Sequence, residues 1–92
     1  MNKPLDGLIV LDLSQFVSGP RASQILADMG AEVIKIEPAA GETLRMILML
    51  IPGGERMMSV LNRNKKCVSI DIRSEGGKTV FNKLAAKADI LI

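Results

Sequence analysis

The stretch Leu8-Ile9-Val10-Leu11-Asp12-Leu13-Ser14-Gln15-Phe16-Val17-Ser18-Gly19-Pro20, followed through Glu37, decides the fold. Leu8 to Leu11 is a continuous apolar run, and Asp12-Leu13-Ser14 carries it to a turn. That pattern suits a parallel strand covered on both faces. Gln15 to Pro20 breaks the run. Pro20 fits the first position of a helix, where a missing N–H has no partner to lose. Ala22, Ile25, Leu26 and Met29 then follow at the i, i+3, i+4, i+7 spacing that predicts one buried helix face. Gly30 suits the C′ position. Ala31 to Glu37 predicts a second strand that ends on an acidic residue. Such a βαβ unit is right-handed, and its ligand site lies beyond the carboxyl ends of the strands.

Downstream, Pro38-Ala39-Ala40-Gly41 reads as a loop and Met46 to Ile51 as an apolar run. Pro52-Gly53-Gly54 is a breaker, and Met57 to Leu61 predicts a short helix on the sheet. Asn62 to Lys66 reads as a basic turn whose Arg63, Lys65 and Lys66 either meet phosphates or, as short charge runs more often do, stay solvated. Val68, Ile70 and Ile72 alternate with Ser69 and Asp71, as in a strand with one wet face. Ser74 is an N-cap candidate. Val80, Phe81, Leu84, Ala85 and Ala88 form the apolar side of a further helix, whose first turn Gly76 and Gly77 weaken. Ala88 to Ile92 opens another strand. No turn or cap follows Ile92, so the sequence is expected to be part of a longer polypeptide.

Composition narrows the function. Apolar residues make up 48% of 92 residues, which predicts a packed core rather than disorder. Two Phe, with no Trp or Tyr, leave no stacking platforms for nucleic-acid bases. A net charge of +2 does not call for a polyanionic partner. Histidine is absent, which removes the commonest general base and metal ligand. Cys67 is the single cysteine, and with no secretory signal in view it predicts a reducing, cytoplasmic setting. The longest solidly apolar run is too short to span a membrane.

The first turn is no dinucleotide fingerprint, because Gly19 stands there alone. The backbone amides at Ser18 and Gly19 open a helix, a place that favours anions. Glu37, at the end of strand two, is placed either to meet a ribose hydroxyl or to stay solvated. Arg73 is expected at the carboxyl end of strand three, on the same rim. Cys67 has no base beside it and is expected to be small, partly buried filler at a strand start. Asp12, inside an apolar strand, is expected to hold adjacent loop backbone.

Taken together these residues resemble the N-terminal part of the class III CoA-transferases, the family of formyl-CoA transferase, carnitine CoA-transferase and α-methylacyl-CoA racemase. The words that carry the resemblance are Pro4-Leu5-Asp6-Gly7, Val10-Leu11-Asp12-Leu13-Ser14, Ser18-Gly19-Pro20 and Leu26 to Glu37. Gly41 to Arg45, Asn62 to Lys66, Ser69 to Arg73 and Lys87 to Ile92 follow in the same order. The resemblance implies an α/β fold: a Rossmann-like parallel sheet with flanking helices, incomplete here. Residues 1–92 would form the N-terminal portion of the large domain of an interlocked homodimer. It further implies an acyl-CoA:carboxylate CoA-transferase with acyl-CoA and a carboxylic acid acceptor as partners, and with no nucleic acid or membrane. Coenzyme A or acyl-CoA enters as substrate, with no permanently bound cofactor. The alternatives are an α-methylacyl-CoA racemase fragment or a non-catalytic truncated remnant.

By the same resemblance, coenzyme A falls on Val17 and Ser18, on Pro38, and on Ile70, Asp71, Ile72 and Arg73, with Arg73 facing the nucleotide phosphates. No catalytic residue is expected within these positions, because the family's nucleophilic aspartate lies beyond residue 92. Three departures stand out. Pro38 replaces an arginine used by some transferases, Gly76 stands where a Pro-Glu-Gly helix start is usual, and Met46 to Met58 matches no family pattern.

Overall fold

The structure, a computed structural model, describes residues 3–15, 18–38 and 43–92, without the side chains of residues 43–45. Eight elements follow in order: β1 (Ile9–Asp12), α1 (Ser18–Asp28), β2 (Glu32–Glu37), α2 (Thr43–Leu48), α3 (Gly54–Asn62), β3 (Lys65–Ser69), α4 (Glu75–Lys87) and β4 (Ile90–Leu91). The strands pair in parallel in the order β3-β2-β1-β4. This is the α/β architecture that the alternating strands and helices predict.

Neighbouring residues of a strand point to opposite faces, which divides the core in two. On one face Val10 and Val33 pack with Ala27 and Ala31, flanked by Leu26 and Ile90. On the other, Leu11, Ile36 and Ile70 meet Phe81, Leu84 and Ala88. Helix α1 therefore covers one face and α4 the other. Gly30 ends α1 as predicted: its φ is +107°, its N–H reaches the Ala27 carbonyl at 3.0 Å, and the Ala31 N–H reaches Leu26 at 3.1 Å. That pair of bonds is the Schellman closure, which needs a residue at ease with positive φ.

The buried face of α1 is not the one the apolar spacing predicts. Pro20, Ser23, Gln24 and Ala27 are buried, whereas Ala22 is exposed and Ile25 and Met29 are 45% and 40% exposed. Leu26 alone of the predicted set packs against the core. The true face sits two residues back, roughly 200° round the helix. Its hydroxyl and amide are buried because the Asp12 carboxylate accepts from Ser23 and the Val60 carbonyl from Gln24. Helix α1 also begins at Ser18, so Pro20 is its third residue. An N–H there still lies among the first four that lack intrahelical partners, so proline costs nothing.

Strand β3 is likewise earlier than the alternation predicts. It starts at Lys65 and ends at Ser69, with Ile70 buried just beyond it and Ile72 43% exposed in the following turn. The presumed basic turn thus supplies two strand residues, because Lys65 and Lys66 each meet an acid. Helix α3 covers the predicted Met57–Leu61 helix, and Leu48, Met58 and Leu61 form a separate small cluster. Met49 and Leu50, after α2, are 74% and 86% exposed. In α4 the predicted Ser74 cap accepts the Gly77 N–H at 2.9 Å. Phe81 and Leu84 are half-buried there, while Val80 and Ala85 are exposed.

Candidate functional site

Backbone bonding brings the carboxyl ends of β2 and β3 level, with the Ile70 N–H on the Glu37 carbonyl at 2.9 Å. Beyond these ends and that of β1 lies a cleft of about 460 Å³. Leu13, Ile36, Ile70 and Ile72 give it apolar walls; Gln15, Glu37, Asp71 and Arg73 supply the polar groups, and Pro38 the lip. Glu37 is 8% exposed and engaged, which removes the solvated-end alternative for it. A second cavity of about 240 Å³, against Leu48, Gly54 and Met58, contains none of the predicted site residues.

A turn positions Arg73. The Asp71 carboxylate accepts the Arg73 backbone N–H at 3.0 Å and faces its Nε at 3.4 Å. The Asp71 carbonyl accepts from the Ser74 N–H at 3.1 Å and the Ser74 hydroxyl at 2.8 Å. An Asx turn followed by a capped helix therefore stops the strand and fixes this rim. Gly77 lets α4 approach closely, because a Cβ there would lie 1.8 Å from the Asp71 carbonyl oxygen.

The structure thus brings Pro38, Ile70, Asp71, Ile72 and Arg73 together. Ser18 does not join them: it is the exposed first residue of α1, outside the cleft lining. Val17 lies outside the described residues. Arg73 stands in the turn after β3 rather than on the strand end.

Between the end of β1 and helix α1 lies a buried polar layer built around Asp12. Asp12, Ser23, Gln24 and Lys35 are all fully buried. Asp12 accepts the Ser14 N–H at 2.8 Å and the Ser14 hydroxyl, as a loop-holding residue should, and also the Ser23 hydroxyl. Lys65 Nζ lies 3.4 Å from Asp12 Oδ2, both side chains inaccessible to solvent, and donates to the Pro20 carbonyl at 2.9 Å. Lys65 is therefore no solvated surface charge. Gln24 donates to the Val60 carbonyl, and Lys35 to Asn62 Oδ1 at 2.8 Å, tying α1 and β2 to α3. The signal available was a lysine inside an apolar strand, Lys35 between Ile34 and Ile36.

Other charges sit on the surface. Arg63 grips Asp28 through Nη2 at 2.7 Å and Nε at 3.3 Å, and Asn64 adds a bond at 3.0 Å. The Arg63 hydrogen bond is the main cause that holds the Asp28 carboxyl below its usual range, and the same bond raises the Arg63 guanidinium. Lys66 pairs with Glu32 at 2.6 Å. Cys67 is exposed in the middle of β3, not part-buried filler at its start, since β3 is an edge strand that begins at Lys65. Among the described residues no cluster of acids and cysteine is arranged to hold a metal, and no helix is long and apolar enough to cross a membrane.

Residues 5–92 match the model of CoA-transferase family III. The chain is 44% identical to the probable fatty acyl-CoA transferase Rv3272 of Mycobacterium tuberculosis, over 98% of this chain and 24% of that protein. It is 42% identical to the succinyl-CoA–L-malate CoA-transferase alpha subunit of Chloroflexus aurantiacus, over 97% and 22% respectively. Among solved structures, a CAIB/BAIF family protein from Brucella suis superposes with a TM-score of 0.87 at 35% identity, covering 99% of this chain and 25% of that one. The chain thus spans about a quarter of the length of these relatives.

Proposed function

Since this chain belongs to CoA-transferase family III, we propose that its cleft receives the nucleotide end of coenzyme A in an acyl-CoA:carboxylate CoA-transferase. One observation carries this: Pro38 and Ile70 to Arg73, drawn from two separate strand ends, line a single cleft on the carboxyl rim. The rim is where an open parallel sheet presents its ligand site. Leu13, Ile36, Ile70 and Ile72 suit a flat apolar base, and Arg73 supplies a cation for a phosphate. Glu37 is a carboxylate at the depth a ribose hydroxyl would reach. We place these residues at the N-terminal part of a large domain, and the carboxylate nucleophile outside them. An interlocked homodimer and a cytoplasmic setting belong to the same proposal. The relatives differ in the acyl groups their names record, so the acyl group and acceptor are assigned to chain beyond this cleft.

The test is calorimetric titration of coenzyme A into the full protein and its Arg73→Ala variant. The Arg73 side chain is 91% exposed and shares its Nε with Asp71. The loss should therefore fall near the lower end of the roughly 1.5–3 kcal/mol typical of a hydrogen bond to a charged group. It should shrink as salt rises. Lys66→Ala is the control, since Lys66 is exposed, pairs with Glu32 and lies outside the cleft lining. Lys65 cannot serve, being buried against Asp12. Equal affinity for wild type and Arg73→Ala would remove Arg73 from the site.

A further inference from the structure

We propose that Asp12, Ser23 and Lys65 form a positioning clamp that sets Ser14 and Gln15, at the exit of β1, against the start of α1 in the arrangement the coenzyme A cleft requires. This rests on the cleft assignment above and adds residues that do not touch the cleft. Leu13 and Gln15 line it, and they are the first and third residues after Asp12. Leu13 has ties of its own, its N–H on the Ile92 carbonyl at 2.8 Å and its side chain packed against Leu11, Ile36 and Ile70. The position of Ser14 and Gln15 beyond it follows from what Asp12 and the start of α1 are tied to.

The ties converge from both sides. Before the connection, Ser14 gives its N–H to Asp12 at 2.8 Å and its hydroxyl to the same oxygen. After it, Ser23 gives its hydroxyl to the other Asp12 oxygen, and the Pro20 carbonyl accepts Lys65 Nζ at 2.9 Å. Lys65 then closes the set on Asp12 at 3.4 Å. Lys65 pairs with Val33 of β2, and Val33 pairs with Val10 of β1. Its stem therefore crosses the whole width of β2 to reach β1. Gly19 adds a steric lock: a Cβ there would lie 2.3 Å from Ser14 Cβ, so the two ends of the connection are held nearly in contact.

Cohesion alone does not account for this arrangement. Two opposite charges taken wholly out of water lose hydration that their attraction seldom repays, and apolar side chains of equal volume often serve stability as well or better. What the charged set provides is direction. Each bond fixes an atom at the exit of β1 or in the first turns of α1 relative to β1 or β3, which greasy contacts do not do. A connection ordered before the ligand arrives has less entropy to lose on binding.

The experiment compares the full protein with Asp12→Asn/Lys65→Met, which leaves neither charge buried alone and keeps an acceptor for Ser14. Coenzyme A affinity should fall by about tenfold or more, the scale of lost preorganisation, while the melting temperature stays close to wild type. Backbone amides of Ser14, Gln15, Ser18 and Gly19 should exchange faster, with those of β2 unchanged. Ser23→Ala removes one tie and should weaken binding by about threefold, the scale of one net hydrogen bond. It also decides the matter if the double variant does not fold. Unchanged affinity together with unchanged exchange in whichever variant folds overturns the clamp. If wild type binds no coenzyme A, the cleft assignment fails instead, and exchange at Ser14, Gln15, Ser18 and Gly19 still decides whether the clamp orders the exit of β1.

Discussion

Gly76 and Gly77 stand side by side in the first turn of α4, yet alanine should act on them in opposite directions. Alanine is favoured over glycine in a helix by about 1 kcal/mol in the interior, and by less near an end. A Cβ on Gly76 would meet nothing within 4 Å, so Gly76→Ala should gain a stabilisation of roughly 0.5–1 kcal/mol. A Cβ on Gly77 would lie 1.8 Å from the Asp71 carbonyl oxygen and 2.6 Å from its carbon. Backbone cannot rotate aside as a side-chain tip can, so oxygen and methyl must separate to at least 3.0 Å. The moving part would be the turn that carries Asp71 to Ser74, or the helix end itself. Forcing such a shift costs about 1–3 kcal/mol, which outweighs the propensity gain and leaves Gly77→Ala destabilised by roughly 1–2 kcal/mol.

Urea unfolding of the two variants against wild type reads both signs at once. Stability falls with urea by about 1–3 kcal/mol per M in small proteins and more steeply in larger ones, so the two midpoints should move to opposite sides of wild type. Because the displaced turn holds Arg73, Gly77→Ala should also weaken coenzyme A binding, whereas Gly76→Ala should not. If Gly77→Ala proves as stabilising as Gly76→Ala, then α4 does not approach Asp71 closely and the rim is not fixed in the way described.

Asp28→Asn tests the surface pair with Arg63. A carboxyl whose folded-state pKa is lowered contributes stability above its unfolded value and loses that contribution as pH falls through the folded one. The melting-temperature gap between wild type and Asp28→Asn should therefore be small but present at neutral pH and close in acid; a gap indifferent to acidification would refute the pairing. Exposed Met49, Leu50 and Leu91, at 74%, 86% and 63%, predict concentration-dependent association of the isolated 92-residue chain on size-exclusion chromatography, and a monomer at every concentration would contradict this.

The sequence signals that survive contact with the structure are those with a local cause. Gly30 closes α1 because its backbone demands positive φ, and Ser74 caps α4 because a hydroxyl meets a free N–H one turn on. The parallel β1–β2 pair follows from apolar runs at the right separation. What failed depended on partners far away in the chain. Ile25 and Met29 look like a core face and stay exposed, since Ser23 and Gln24 have acceptors waiting at Asp12 and Val60. Lys65 looks like turn surface until Asp12, distant in sequence, is seen beneath it. Pro38 and Ile70 to Arg73 came from the family resemblance, and the structure sets them along one cleft. The roles of Ser23 and Lys65 were not legible in the sequence, because a hydrogen bond across a sheet leaves no periodic trace.

The two faces of the sheet carry different kinds of packing, and this explains where position matters most. The α4 face closes on Leu11, Ile36, Ile70, Phe81 and Leu84, side chains that tolerate small slides because dispersion is non-directional. The α1 face interleaves Val10 and Val33 with Asp12, Ser23, Lys35 and Lys65, whose bonds weaken steeply once misaligned. A buried charge that loses its partner is costly, so this layer resists half-formed arrangements. The connection out of β1 leaves from above that polar layer, whereas the turn after β3 is ordered by its own Asp71 and by the start of α4. One side of the cleft is therefore set by a long-range ionic clamp and the other by a local turn. Damage to the clamp should misplace Gln15 while leaving Arg73 where it is, and damage to the turn should do the reverse. Combining Asp12→Asn/Lys65→Met with Gly77→Ala should accordingly give losses of coenzyme A affinity that add, as independent sites do. Strong non-additivity would mean that the two sides of the cleft move as one body.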